Sequence, residues 1–281
     1  RYGSGIPTAF TLRAFSKFAL GTPYIDTVVI KSLANKVDAY DALGNRTIDA
    51  LAMVDTGDMD RVTPRSQNVL TQPLPRVFGL FLNPAKNPLF ADRTVVQALN
   101  LAADKRELVD AVLDGYGTVL NGPLPQFEDT NNQDFATRRT VAASLLDKAG
   151  WKLNPETGIR EKTNGKNKQP LAFTLSTANT SDLEESAQLL ANQYRTLGID
   201  VTVKVFEIGT LNEDGIRGRN FEALLFGQAI KHDADVFAFW HSTQRAAPGL
   251  NITGYANATV DSLLDAATKE ADYDARFALY Q

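Results

Sequence analysis

The chain has 281 residues, with 29 Lys and Arg against 33 Asp and Glu, a formal charge of −4 and a hydrophobic fraction of 43%. This length and apolar content leave room for one large or two smaller domains and argue against intrinsic disorder. The charge gives no basic stripe for nucleic acid, and the absence of Cys excludes disulfides, thiolate nucleophiles and Cys-ligated zinc.

The two ends of the sequence indicate a piece of a longer protein. Residue 1 is Arg rather than Met, and no charged and apolar signal segment follows it. At the other end, an amphipathic helix is predicted from Val260 through to Gln281, without a Gly or Pro stop signal. We therefore expect an excised fragment.

The first 70 residues are predicted to mix short strands and helices. Alternation and β-branched runs favour strands at residues 10–14, 25–30 and 48–54. A short helix is expected at residues 37–43. Residues 55–75 contain three prolines and little periodicity, which is typical of a linker or an interdomain crossing.

The pattern becomes regular from Val77 onwards. A buried strand is predicted at residues 77–82, followed by a loop in which Asp92 is the expected N-cap of a helix at 95–103. A second helix at 105–113 precedes a long loop at 116–136.

The middle of the chain predicts a parallel sheet. Thr137 is the expected N-cap of a helix that Gly150 ends, and residues 155–168 have the composition of a surface hairpin. A strand at 171–175, a helix at 183–197 and an alternating strand at 199–205 then make a βαβ unit.

One cluster carries acid, base or metal-ligand chemistry: His232, Asp233, Asp235 and His241. On a helix Asp235 and His241, six residues apart, would lie about 120° apart around the axis, so they could not share a metal without further ligands. The alternative is that Asp233 or Asp235 caps a helix at 236–240. No Gly-x-Ser-x-Gly, Gly-Lys-Thr/Ser or His-Glu-x-x-His motif is present, which disfavours an enzyme.

Aromatic side chains lie on both sides of a nearby turn. Phe237, Phe239 and Trp240 follow the acidic cluster, and Tyr255 follows the turn at residues 251–254. Such side chains line ligand clefts, and they are also ordinary core residues. Both interpretations stay open on the sequence alone.

Several ordered motifs resemble the family 5 extracellular solute-binding proteins, the dipeptide, oligopeptide and nickel type of ABC-transporter receptor. The matching stretches are residues 3–49 (ending in Asn-Arg-Thr-Ile-Asp), 81–83 (Phe-Leu-Asn), 90–99, 103–109, 145–151 (Leu-Leu-Asp-Lys-Ala-Gly-Trp), 197–201, 233–237 and 251–261. Together they extend over nearly the whole chain, and several motifs in order are more specific than any one.

The resemblance implies an α/β fold of the class II periplasmic-binding-protein type, in which two lobes close on a ligand. Residues 1–73 would be a returning segment of lobe one, and residues 74–281 would be most of lobe two, truncated at its C-terminal end. The implied protein is extracytoplasmic, anchored to the membrane through a missing N-terminal segment, and works with ABC permease subunits. It has no catalytic residues, metal or cofactor.

The sequence departs from the family where peptide ligands are held. Peptide-binding members resemble one another in carrying a Trp and an Asp that pairs with the ligand's α-amino group. The corresponding residues 227–232 contain neither, and Ala234 replaces a Pro. A buried α-ammonium would then lack a carboxylate partner, although Lys231 could meet an anionic group or simply be solvated.

We predict that the protein captures a small solute, a peptide or another small polar molecule, by hinge closure. The predicted ligand contacts are Gln228, Lys231, His232 and, with less support, Asn251. Two alternatives remain: a metal-dependent hydrolase centred on His232, Asp233, Asp235 and His241, and a sensing or scaffolding protein on the same fold.

Overall fold

The structure is a computed structural model that describes residues 8–52, 54, 56–62, 68–72, 74–125, 133–230 and 236–281. The chain forms two compact units, Arg1–Thr71 and Gln72–Gln281, which we call unit 1 and unit 2. The assignment of residues 1–73 and 74–281 to two lobes stays a prediction.

Unit 1 contains an antiparallel hairpin and short helices. The hairpin pairs β1 (Ala9–Arg13) with β2 (Thr27–Lys31), which lie close to the strands predicted at residues 10–14 and 25–30. Helix α1 (Lys36–Gly44) begins after Asn35, whose side chain accepts a hydrogen bond from the Asp38 backbone N–H, and α2 (Met59–Val62) follows a 3₁₀ turn.

The predicted strand at residues 48–54 is wrong, because the described part of this stretch contains no strand. The backbone N–H groups of Thr47 and Ile48 donate to the Ala42 carbonyl at 2.8 and 3.3 Å. These bonds fold the chain back onto the end of α1. Hydrophobic composition alone could not reveal this turn.

Little of unit 1 is buried. Among its described residues only Asp58 and Val62 are buried, and both faces of the hairpin are exposed, including Phe10, Leu12 and Ile30. An isolated two-stranded hairpin is marginally stable in water. Unit 1 therefore lacks the buried apolar surface that would hold it together by itself.

We expect limited proteolysis of this 281-residue chain to cut unit 1 on the order of tenfold faster than unit 2, because few buried contacts oppose local opening. Chymotrypsin followed by mass spectrometry gives the test: cleavage at Phe15 and Phe18, both exposed, should precede cleavage at Phe90 and Phe173, both buried. Equal protection of the two sets of phenylalanines would contradict the expectation.

Unit 2 contains most of the regular structure. In chain order its elements are β3 (Arg76–Leu82), α3 (Arg93–Ala102), α4 (Lys105–Leu113), α5 (Phe135–Lys148), β4 (Lys152–Leu153), β5 (Arg160–Asn164), β6 (Asn167–Pro170), β7 (Ala172–Ala178), α6 (Ser181–Arg195), β8 (Asp200–Phe206), α7 (Ile208–Thr210), β9 (Ala223–Ala229), α8 (Phe237–Trp240), α9 (Ala258–Lys269) and α10 (Tyr273–Tyr280). A π-helix at Leu211–Arg217 and 3₁₀ helices at Pro88–Ala91 and Ser242–Arg245 complete the unit.

A four-stranded mixed sheet forms the centre of unit 2, in the order β3-β9-β7-β8. Strands β7 and β8 are parallel, with Phe173 opposite Val201, and α6 connects them, so the predicted βαβ unit is confirmed. Strand β9 is parallel to β7 and antiparallel to β3. The predicted hairpin is also present, as β5 and β6 in a separate three-stranded sheet with β4.

The main core lies between this sheet and helices α3, α5 and α6. Each helix contributes side chains that are almost wholly buried: Leu99 from α3, Leu146 from α5 and Tyr194 from α6. Burial raises the pKa of Tyr194 above its usual range, because the charged phenolate would lose its hydration. The expected N-cap at Asp92 is confirmed, since its side chain accepts from the Thr94 N–H at 2.9 Å.

Two helix boundaries differ from the predicted ones, and in both cases a capping side chain is the reason. Helix α5 begins after Asp134, which accepts hydrogen bonds from both the N–H and the hydroxyl of Thr137 at 2.8 Å, so the predicted cap at Thr137 is wrong. The single helix predicted to run from 260 to 281 is also wrong. Glu270 accepts from the Asp272 N–H and Asp272 accepts from the Ala275 N–H, which separates α9 from α10. A cap can end one helix and begin another without any Gly or Pro.

Candidate ligand-binding site

The sheet holds the predicted contact Gln228 near the end of β9. Gln228 lies opposite Val77 of β3, and the Ile230 N–H donates to the Pro75 carbonyl at 2.8 Å just beyond the strand. The neighbouring Gly227 lies so close to the ring of Phe78 that a Cβ there would come within 2.8 Å of it. Glycine at this position therefore permits the ring to pack against the strand.

Lys231 and His232, the other predicted contacts in this stretch, lie outside the described residues, as do Asp233 and Asp235. Their roles stay predictions. The chain is described again from Val236, which holds the N-cap position of α8 without a side-chain cap bond. The predicted cap at Asp233 or Asp235 lies outside the described residues and stays a prediction.

A second apolar cluster lies beside Gln228. Its buried members are Val77, Leu124, Ile230, Val236 and Leu264, and Trp240 packs against them. Paired residues of an antiparallel ladder share a face, and so do residues two apart along a strand. Gln228 therefore projects on the same face as Val77 and Ile230, towards this cluster. It is 9% exposed, and its Nε2 has no hydrogen-bond partner within the described chain.

Asn251 is fully buried and acts within its own loop. Its Nδ2 donates to the carbonyls of Tyr255 at 2.9 Å and His241 at 3.2 Å, and its Oδ1 accepts from the Tyr255 N–H at 3.1 Å. Both amide hydrogens are thereby engaged by the backbone. The predicted ligand contact stays a prediction, whereas the geometry assigns Asn251 to holding the loop between α8 and α9.

His241 is buried at the end of α8. Its ring stacks on Phe237, with the centroids 4.2 Å apart, and its Nδ1 accepts from the Thr243 N–H at 3.2 Å. In the neutral ring this acceptor role leaves the proton on Nε2. Nε2 lies 3.6 Å from Asp265 Oδ1 and 3.9 Å from Asp261 Oδ1. Nowhere in the described ranges are three or more His, Asp or Glu side chains placed to hold a metal ion.

Asp261 ties the start of α9 to the loop. Its Oδ1 accepts from the Ser242 N–H at 2.9 Å. Hydrogen bonds from the Ser242 side chain and backbone lower the pKa of Asp261, with smaller contributions from His241 and Arg245. Asp261 is not among the predicted site residues, although it ends the family-like stretch at residues 251–261, and that motif is the signal in the sequence that points to it.

We expect acid to loosen this connection. Because the pKa of Asp261 is lowered in the folded state, its contribution to stability is complete above the ordinary value of about 3.9 and is lost as the pH falls through the folded-state value. The protection factor of the Ser242 amide, measured by NMR hydrogen exchange between pH 5 and 2 and corrected for the intrinsic rate, should fall more steeply in the wild type than in Asp261→Asn. Asp265→Asn, one turn further along α9, is the control and should resemble the wild type; identical profiles for all three would contradict the assignment.

Unit 2 is thus an α/β unit that carries a buried side-chain amide without a hydrogen-bond partner near the end of an inner strand. Among the described helices, none combines the length and the hydropathy needed to cross a membrane. The chain belongs to the family of bacterial extracellular solute-binding proteins, family 5, whose sequence model ("family 5 Middle") matches residues 7–248.

Individual relatives agree with this membership. The oligopeptide-binding protein AppA of Bacillus subtilis is 29% identical over 271 residues, covering 93% of this chain and 48% of AppA. The nickel-binding periplasmic protein of Escherichia coli is 34% identical over 161 residues, covering 55% of this chain and 29% of that protein.

The fold agrees as well. The structure of Bacillus subtilis AppA in complex with a nonapeptide is 27% identical, with a TM-score of 0.74, and the match covers 100% of this chain and 55% of AppA. HbpA2 from Haemophilus parasuis, at 20% identity, matches with a TM-score of 0.76 over 100% of this chain and 54% of that chain. The chain thus spans about half the length of these relatives.

The membership confirms the predicted family and the predicted α/β fold class. It also confirms that the chain is not an enzyme, because family 5 solute-binding proteins bind and do not convert their ligands. The alternative of a metal-dependent hydrolase at His232, Asp233, Asp235 and His241 is therefore wrong. Members of this family are extracytoplasmic.

Proposed function

We propose that the full-length protein is the substrate-binding component of an ABC importer, which captures a small solute between two lobes by hinge closure. The observation that supports this most strongly is the family match over residues 7–248. On this proposal the protein delivers its solute to membrane permease subunits. A segment outside this chain would anchor it to the membrane.

Within unit 2, we propose that Gln228, Lys231 and His232 contact the solute, with Asn251 a weaker candidate. The support is the position of Gln228 near the end of β9, an inner strand of the sheet, where its backbone is in register with Val77 of β3. Residues 231 and 232 follow it directly in the sequence. Asn251 is the weaker candidate because the loop backbone already engages its amide.

The solute is proposed to be a peptide or another small polar molecule. AppA is described as oligopeptide-binding, which favours peptides as the first class to test. Residues 227–232 contain Lys231 and no carboxylate, so this stretch suits an anionic group better than an α-ammonium. A peptide would need its amino group neutralised elsewhere in the full-length protein.

Native mass spectrometry of the full-length protein tests the proposal. We expect one small solute to be retained per molecule, and the purified solute to bind again in calorimetry after its removal. Lys231→Met should weaken binding if the solute is anionic there, whereas Lys231→Arg, which keeps the charge, should weaken it less. A protein that retains no solute and binds neither short peptides nor Ni²⁺ would contradict the proposal.

Transport and sensing need a separate measurement, because the difference lies in the partner. We expect deletion of the gene to abolish uptake of the identified solute in the host, and the wild-type gene to restore it. Unchanged uptake together with retained binding would support the sensing alternative.

A further inference from the structure

Two buried N–H donors flank residues 231–235 without a hydrogen-bond partner in the described parts of the chain. They are Nε2 of Gln228, the last residue but one of β9, and Nε1 of Trp240, the last residue of α8. Buried donors without partners cost free energy and are rare in native proteins, so each requires an explanation.

Both donors border the same apolar cluster. Trp240 packs against the cluster that includes Val77, Ile230 and Val236. The strand register places Gln228 on the same face of the sheet as Val77 and Ile230. Trp240 also contacts Tyr255 edge to face, with the ring centroids 6.1 Å apart. The two N–H groups therefore belong to one region of unit 2.

Two other unpaired groups, on His241 and Trp151, do not share this setting. Nε2 of His241 lies near the carboxylates of Asp265 and Asp261, at 3.6 and 3.9 Å, which gives its N–H an electrostatic partner. Trp151 Nε1 is unpaired too, but it belongs to the main core beneath the Lys162 ammonium. Trp151 thus provides a matched indole outside the region.

The chemistry of the two groups restricts what can pair with them. An indole N–H is only a donor, and the unpaired atom of Gln228 is the amide nitrogen, also a donor. Neither carries a charge. An oxygen acceptor, whether a carbonyl or a carboxylate, satisfies both, whereas an ammonium group satisfies neither.

We infer that Gln228 and Trp240 together recognise an oxygen acceptor group of the solute, a carbonyl or a carboxylate. This inference rests on the proposed binding function and adds the chemical class of the group that this part of unit 2 receives. Apolar side chains around the donors exclude water and strengthen the hydrogen bonds.

Native mass spectrometry of the full-length protein tests the inference, with the co-purified solute as the probe. Gln228→Met and Trp240→Phe remove one donor each, and each should lower affinity for that solute by about tenfold. Gln228→Glu replaces donors by a negative acceptor and should lower it further. Trp151→Phe, which removes the matched indole, should bind like the wild type.

Thermal unfolding of the solute-free variants separates recognition from folding. We expect Gln228→Met and Trp240→Phe to be at least as stable as the wild type, since each removes a buried donor that has no partner.

If the recovered solute has both a carboxylate and carbonyls, its methyl ester distinguishes them: tenfold weaker binding of the ester identifies the carboxylate as the acceptor, and equal binding identifies a carbonyl.

The outcomes are distinguishable. A wild type that retains no solute overturns the proposed function, and this inference with it. Retention of solute with unchanged affinity in Gln228→Met and Trp240→Phe overturns this inference alone. This inference alone is also overturned if the recovered solute has no oxygen acceptor, or if both donors bind protein carbonyls in a structure of the full-length protein.

Discussion

Replacing Arg160 by Met is expected to lower the free energy of unfolding of unit 2 by about 3–5 kcal/mol. The Arg160 side chain is buried, and its Nε donates to the Leu197 carbonyl at 2.7 Å. One terminal nitrogen donates to the Trp151 carbonyl at 2.8 Å and to Asp147 at 2.6 Å. Met occupies similar space but leaves two main-chain carbonyls without these donors.

Urea denaturation followed by circular dichroism measures this loss. Arg217→Met is the matched control, because the Arg217 side chain is exposed and forms an i,i+4 ion pair with Glu213, worth about 0.3–0.5 kcal/mol. A loss below about 1 kcal/mol for Arg160→Met would show that the guanidinium is not a principal connection between β5 and the end of α6.

Replacing Asn251 by Ala is expected to cost about 2–4 kcal/mol. The substitution removes the hydrogen bonds that join the Asn251 side chain to His241 and Tyr255 from inside the loop. Alanine leaves those backbone groups buried without partners. Because this loop connects α8 with α9, the segment after the candidate site should also become more mobile.

Denaturation and amide exchange check both parts of the expectation. Exchange at Tyr255 should accelerate, since its N–H loses the Asn251 acceptor. Asn192→Ala on the exposed side of α6 is the control and should change stability by less than about 0.5 kcal/mol. Unchanged exchange at Tyr255 would contradict the structural role of Asn251.

Elements with strong periodicity were predictable and those set by single hydrogen bonds were not. The strand at 171–175 and the helix at 183–197 have complete patterns, and both form at those places. The failed predictions at 48–54, at Thr137 and at 260–281 share a cause. In each case a hydrogen bond from a polar side chain or from the backbone determined the local conformation. The spacing of hydrophobic residues was equally compatible with a different secondary structure.

For the candidate site, too, the sequence indicated which residues to consider, and the structure showed their hydrogen bonds. Gln228 was identified because residues 227–232 correspond to the place where the family holds its ligands, and the structure added that its amide nitrogen is buried and unpaired. Asn251 came from the same kind of resemblance, yet its hydrogen bonds are internal to the loop. A sequence motif indicates that a residue matters but does not distinguish a ligand contact from a loop anchor.

The amino-acid sequence by itself determined the family, the α/β class and most strands and helices, because these depend on local periodicity and on ordered motifs. Tertiary structure alone decided which polar groups are paired. The bond from Ser242 to Asp261 spans 19 residues and that from Arg160 to Leu197 spans 37. Hydrogen-bond partners so far apart meet only after the chain folds, so the pairing of Asp261, and the lack of it at Gln228 and Trp240, could be found only in three dimensions.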